Sequence, residues 1–126
     1  MRIKTTQLKQ IPVPGGDVYH VIRSDSEGFK GFGEVYLSFI KSGEFKDWKL
    51  HNEMTLNLVV PIGNVCFKFK DENSLITEIT IGESNYQRLT VEPKTWFCFE
   101  NKGTKNAMVI NVSDICHDEN EVVRKQ

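Results

Sequence analysis

The sequence lacks any apolar run near the roughly 18 residues of a membrane span. It has no CxxC pair, no internal repeat, no low-complexity tract and no surplus of either charge. Each absence removes a class of function. Without the run, the chain reads as one that does not enter a membrane. Sixteen Lys and Arg against 17 Asp and Glu give a net charge of −1, which argues against broad nucleic-acid or anionic-membrane binding, since both need a basic excess. The three cysteines, Cys66, Cys98 and Cys116, are odd in number and widely spaced. They read as reduced thiols of a cytoplasmic protein, with Cys66 and Cys98 as small packing residues. The start, MRIKTTQLKQ, alternates polar and apolar and has no apolar core of a signal peptide. No stretch longer than two turns shows a 3.6-residue period, so helices are not expected to build the fold.

What is present is alternation. At 126 residues, 39% of them hydrophobic, the chain reads as one domain spanning 1–126. Strand-like runs cover 2–9, 17–23, 32–40, a stretch ending at His51, 55–60, 65–70, 75–81, 86–92, 95–100 and 106–112, with turn-rich segments between them. About ten short strands at this spacing predict an all-β protein, a double-sheet jelly roll with an interior that can hold a ligand. The run WKLHNEMTLNLVVPIGNV (48–65) is the most informative. Lys49, His51, Glu53, Thr55 and Asn57 share one parity, while Trp48, Leu50, Met54, Leu56 and Leu58 share the other. In 32–40, Val35, Leu37 and Phe39 alternate with Glu34, Tyr36 and Ser38. The charged tail HDENEVVRKQ reads as a solvated or dimer-contacting segment.

Three pieces in order, WKLH, LVVPIGNVCFKFKD and NYQRLTVEPKTWFCF, resemble the small cupins related to dTDP-4-dehydrorhamnose 3,5-epimerase. The resemblance spans roughly residues 17–124. It implies a cupin-type jelly roll, usually a homodimer, acting without metal or organic cofactor on a dTDP-linked 4-keto-6-deoxyhexose in surface-polysaccharide sugar synthesis. The chemistry implied is removal of a proton beside the C4 ketone, which needs a base working near neutral pH and a group to steady the enolate oxygen. His51 matches the family's base by motif position, and imidazole suits that task. Lys49 is placed to steady an enolate or phosphate oxygen, and Arg88 to grip a diphosphate. Glu34, Tyr36 and Asn57 are further candidates, and whichever of Trp96 and Phe97 faces out of the core is one that could stack on a base or sugar.

The sequence departs from the family pattern at several points. Glu92-Pro93-Lys94 replaces the usual Pro-Gly turn, and Phe97 stands where many relatives have histidine. The catalytic tyrosine of the long epimerases falls near Val109, leaving Tyr36, Tyr19 or Tyr86 as substitutes. The carboxylate that orients the histidine in longer relatives falls in a C-terminal segment expected to be missing here, with Glu53, Asp71 and Asp114 as local candidates. A single epimerisation or a keto-sugar isomerisation therefore fits better than double epimerisation. The alternative is a decayed cupin that binds a sugar nucleotide without turnover. One imidazole without a second nitrogen ligand argues against a metal. His20 and His117 read as structural or exposed.

Overall fold

Alternating apolar residues pair across the chain into twelve strands, described over residues 2–125 of a computed structural model. They are β1 (Ile3–Gln7), β2 (Gln10–Ile11), β3 (Val18–Tyr19), β4 (Glu34–Ile40), β5 (Phe45–His51), β6 (Leu56–Ile62), β7 (Asn64–Lys70), β8 (Ile76–Gly82), β9 (Gln87–Val91), β10 (Trp96–Glu100), β11 (Ala107–Ser113) and β12 (Val122–Arg124). One sheet has the order β1-β9-β6-β11-β4 and the other β12-β5-β10-β7-β8, every pairing antiparallel. β2 and β3 form a small separate ribbon. The expected double-sheet jelly roll is the architecture found.

The core lies between the sheets. Leu56, Leu58 and Val60 of β6, Leu89 and Val91 of β9 and Val109 of β11 meet Val65, Phe67 and Phe69 of β7 and Phe97 and Phe99 of β10. Each such side chain, fully buried, stabilises by about 1.5–3 kcal/mol. The β6–β7 hairpin turns on Gly63, whose φ of 79° is left-handed and whose absent Cβ would lie 2.7 Å from that of Ala107. The β9–β10 turn shows how the chain manages without the family's glycine. Lys94 itself takes φ 65°, its N–H donating to the His51 carbonyl at 2.7 Å. That conformation costs a non-glycine residue about 1–2 kcal/mol, which the hydrogen bond helps to offset.

Two expectations change. The run 17–23 forms a strand only at Val18–Tyr19, and the following 20–33 is mostly irregular. It crosses the outer side of the first sheet, because Arg88 and Asn57 donate to its carbonyls at Val21, Glu27 and Gly28. In β4 the apolar residues Val35, Leu37 and Phe39 face out and are exposed, while Tyr36 and Ser38 face in. The second change is the tail. Residues 119–121 make one 3-10 turn capped by Asp118, and β12 pairs with β5, so the tail completes the second sheet.

Candidate active site

The site forms where β5 ends. Lys49 lies opposite Phe97 in the β10 register, on the face that packs inward. An irregularity in that pairing between Phe97 and Phe99 also brings Lys46 inward, where its ammonium reaches the Ser38 hydroxyl of the facing sheet at 2.7 Å. His51, two residues beyond Lys49, therefore points into the interior. It is only 3% exposed. Its ring lies nearly parallel to that of Phe97, with centroids 6.3 Å apart, and Phe69 continues the row at 6.4 Å.

The partner of His51 comes from the tail. The Glu121 carboxylate takes a short hydrogen bond from Nδ1 and also accepts the N–H groups of Glu53 at 2.9 Å and Met54 at 3.0 Å. Glu121 is itself 3% exposed. Burial pushes its pKa up, but the hydrogen bonds from His51, Glu53 and Met54 outweigh that and hold it below the usual carboxylate range. Burial pushes the His51 pKa down, Glu121 opposes the shift, and the charge of Lys49 adds to it. The pair thus rests as carboxylate and neutral imidazole, with Nδ1–H donating and the Nε2 lone pair free. Nε2 is sealed from solvent and has no hydrogen-bond partner. A neutral imidazole fixed in one tautomer by a carboxylate is a proton acceptor.

Two expected residues stand with this pair. Lys49 is half-buried, its ammonium 5.6 Å from the Phe97 ring centroid, and its pKa is lowered by burial and by the charges of Arg124 and Lys46. Tyr36 comes from the facing sheet, accepting from Asn111 Nδ2 at 2.9 Å and touching the Met54 sulfur at 4.0 Å. Burial raises its pKa, and the charges of Glu34 and Glu121 add to this, so the phenol keeps its proton. Glu34 joins the edge of the group, where its carboxylate accepts the His117 N–H at 2.8 Å and so anchors the tail.

The remaining candidates lie elsewhere. Asn57 and Arg88 sit on the outer side of the first sheet, away from His51. Asn57 accepts from the Thr90 hydroxyl at 2.6 Å and donates to Gly28, while Arg88 donates to Val21 O at 2.8 Å and Glu27 O at 3.0 Å. Parity misled for Asn57 because Asn52–Thr55 is not a strand. His51 and the opposite-parity residues Met54, Leu56 and Leu58 all face one core. Phe97 is core and borders His51, whereas Trp96 points to the other side of β10. It lines a cleft of about 880 Å³ with Arg2, Leu50 and Lys94. None of the proposed carboxylates orients His51. Glu53 is exposed, Asp71 caps the turn before β8, and Asp114 binds the Thr55 N–H. Glu121 was missed because a charged tail gives no periodicity. Its one visible signal is the β-branched pair Val122-Val123 that follows it directly. His117 is exposed and bonded to Glu119 at 2.7 Å, and the Tyr86 hydroxyl donates to His20 O. Among the described residues, no group of three His, Cys, Asp or Glu side chains could hold a metal ion. No helix among them is long and apolar enough to cross a membrane.

Fold and site together define a jelly roll of cupin type with an interior histidine–carboxylate pair. Comparison with solved structures gives a dTDP sugar isomerase from Desulfovibrio desulfuricans, 35% identical, covering 98% of this chain and 83% of that one with a TM-score of 0.92. A sugar 3,4-ketoisomerase from Thermoanaerobacterium thermosaccharolyticum in complex with TDP is 13% identical, with coverage of 98% and 88% and a TM-score of 0.84. A 3'-monoepimerase from Streptomyces bikiniensis is 9% identical, with coverage of 98% and 68% and a TM-score of 0.85. The last two share the fold. No protein-family model matches the sequence, and no curated protein does. At the identity of the first match, the chain belongs to the family of dTDP-sugar isomerases with the cupin fold.

Proposed function

We propose that the protein is a dTDP-sugar isomerase acting on a dTDP-linked 4-keto-6-deoxyhexose, with His51 as the base. The observation that carries this is the buried His51–Glu121 pair with an unpartnered Nε2. Nε2 takes the proton from the carbon beside the C4 ketone, and the electron pair moves onto the ketone oxygen. The Lys49 ammonium steadies that oxygen. Return of that proton to C4, with the O3 proton passing to O4, moves the ketone to C3. Return to the same carbon from the other face, with Tyr36 as donor, gives an epimer. One base on one face suits the first route, since it needs no opposed donor. The family reading supports a cytoplasmic enzyme of surface-sugar synthesis.

The same reading includes a homodimer. The edge strand β4 exposes Leu37 at 51% and Phe39 at 64%, with Val35 beside them and the partly buried Met108 and Ile110 of β11 on the same outer face. An apolar stripe on an unpaired edge is a surface that a second copy covers.

The test is solvent exchange. Incubated in D2O with dTDP-4-keto-6-deoxyglucose, the protein should place deuterium on the sugar ring and yield a rearranged sugar visible by proton NMR, and His51→Asn should do neither. Exchange that is unchanged in His51→Asn would sink the assignment. Sealing of Nε2 also favours a second reading, a sugar-nucleotide binder without turnover. It requires thermal stabilisation by dTDP-sugar and no deuterium incorporation.

A further inference from the structure

Arg88 is 2% exposed, yet no carboxylate pairs with it. Its two terminal nitrogens donate to the neutral carbonyls of Val21 and Glu27, and its Nε has no partner. Thr6, directly opposite in the β1–β9 register and on the same side of the sheet, has a buried hydroxyl that is also unpartnered. Two carbonyl bonds explain why a donor sits at this position. They do not explain a full positive charge, since a neutral amide would clip the same loop without the cost of a buried ion. Burial lowers the Arg88 pKa with nothing opposing it.

A pocket of about 260 Å³ opens beside this guanidinium, between β1 and the 20–27 loop. Lys9, His20 and Arg23 also line it. The one carboxylate on the wall, Glu27, is paired with Lys4, and Arg23 is paired outside the pocket with Asp25. The wall therefore carries a net positive charge, with Lys9 and Arg88 unpaired by any carboxylate among the described residues. The volume lies below the roughly 300–1,000 Å³ of pockets for organic ligands, and suits a small oxyanion.

We infer that this pocket, on the side of the first sheet away from His51, is an anion site that takes a phosphate-sized oxyanion, either free phosphate or the terminal phosphate of an ester. Arg88 supplies the buried charge, and Lys9 and Arg23 close over the anion from the rim. The site is separate from the reacting pocket and does not depend on the proposed activity.

Inorganic phosphate is titrated into the full chain at constant ionic strength, with chloride exchanged for phosphate, and followed by 15N–1H NMR. The expected result is saturable shifts confined to Thr6–Lys9, His20–Glu27 and the Arg88 side chain. The double substitution Lys9→Gln/Arg23→Gln, on exposed side chains that leave the core untouched, should weaken binding at least tenfold, while His51→Asn should bind as wild type. A phosphorylated sugar ester used as a second probe, giving the same shifts more tightly, would assign the site to ester phosphates. Shifts that fail to saturate, that map to the His51 side, or that persist unchanged in the double variant would overturn the site.

Discussion

Replacing Glu121 by Gln tests the tail's contribution most directly. The carboxylate accepts three hydrogen bonds, from the imidazole and from the N–H groups of Glu53 and Met54. Gln keeps the shape and one acceptor oxygen but removes the charge, so the bonds become ordinary neutral ones. Charged hydrogen bonds contribute about 1.5–3 kcal/mol and neutral ones about 0.5–1.5. Allowing for the smaller cost of burying a neutral group, the expected net loss of stability is about 1–3 kcal/mol, or several degrees in Tm. The kinetic loss should be larger. The amide can donate to Nδ1 and turn the proton onto Nε2, leaving the base with no lone pair for substrate. Loss of tautomer control and of a charge partner costs on the order of 10²–10⁴ in kcat. The assay is ring deuteration in D2O, run beside a thermal melt. Glu121→Asp, which keeps the charge on a shorter arm, should recover part of the rate. If Glu121→Gln melts lower yet exchanges at the wild-type rate, the carboxylate is only structural and the reasoning fails.

Other expectations follow from the same geometry. Lys49→Met keeps the chain lying over Phe97 but loses the ammonium, so kcat should fall on the order of tenfold to a thousandfold with less change in dTDP affinity; unchanged kcat would remove Lys49 from the chemistry. The His51 pKa is lowered by burial, so kcat/KM should rise with pH along a limb below about 6.5 and then level off. A limb centred above pH 7 would contradict a buried neutral base. Both His51 and Glu121 are depressed in the folded state, so each contributes stability that is present above its unfolded pKa. That stability is lost as pH falls, first from about 6.5 through the folded value of His51 and then below about 4.5 for Glu121. Tm should therefore drop on acidification, and in His51→Asn the first part of the drop should be absent. Leu37→Asp should turn a dimer into a monomer in light scattering and leave the melt of the monomer close to that of the parent; a wild-type monomer would dispose of that face as an interface.

Strand positions were legible because period-two alternation survives wherever one face packs on a core. The β10 assignment succeeded on this basis, as Phe97 and Phe99 face in while Trp96, Cys98 and Glu100 do not. The same rule failed where the chain leaves the sheet. Asn52–Thr55 turns and flips the phase, so Asn57 went to the wrong side. In β4 the pattern was read correctly, but the apolar face is the outer one, because the inner face serves a polar site through Tyr36 and Ser38. Arg88 shows a different limit, since a charged residue flanked by leucine looks the same whether it grips a ligand or two carbonyls.

The least legible part is the most consequential one. Three residues of β12 contribute little area, and Val123 and Arg124 are exposed, so burial alone does not explain why the tail docks. Polar bonds supply the rest: Asn52 N–H to Glu121 O at 2.8 Å, Lys125 N–H to Trp48 O at 3.0 Å, and His117 N–H to Glu34. Their acceptors and donors belong to β4, to β5 and to the turn after it, the segments that carry Tyr36, Lys49 and His51. Seating the tail and setting the imidazole tautomer are therefore one event. An opened tail leaves His51 without its carboxylate, so the fraction of molecules able to react equals the fraction with the tail in place.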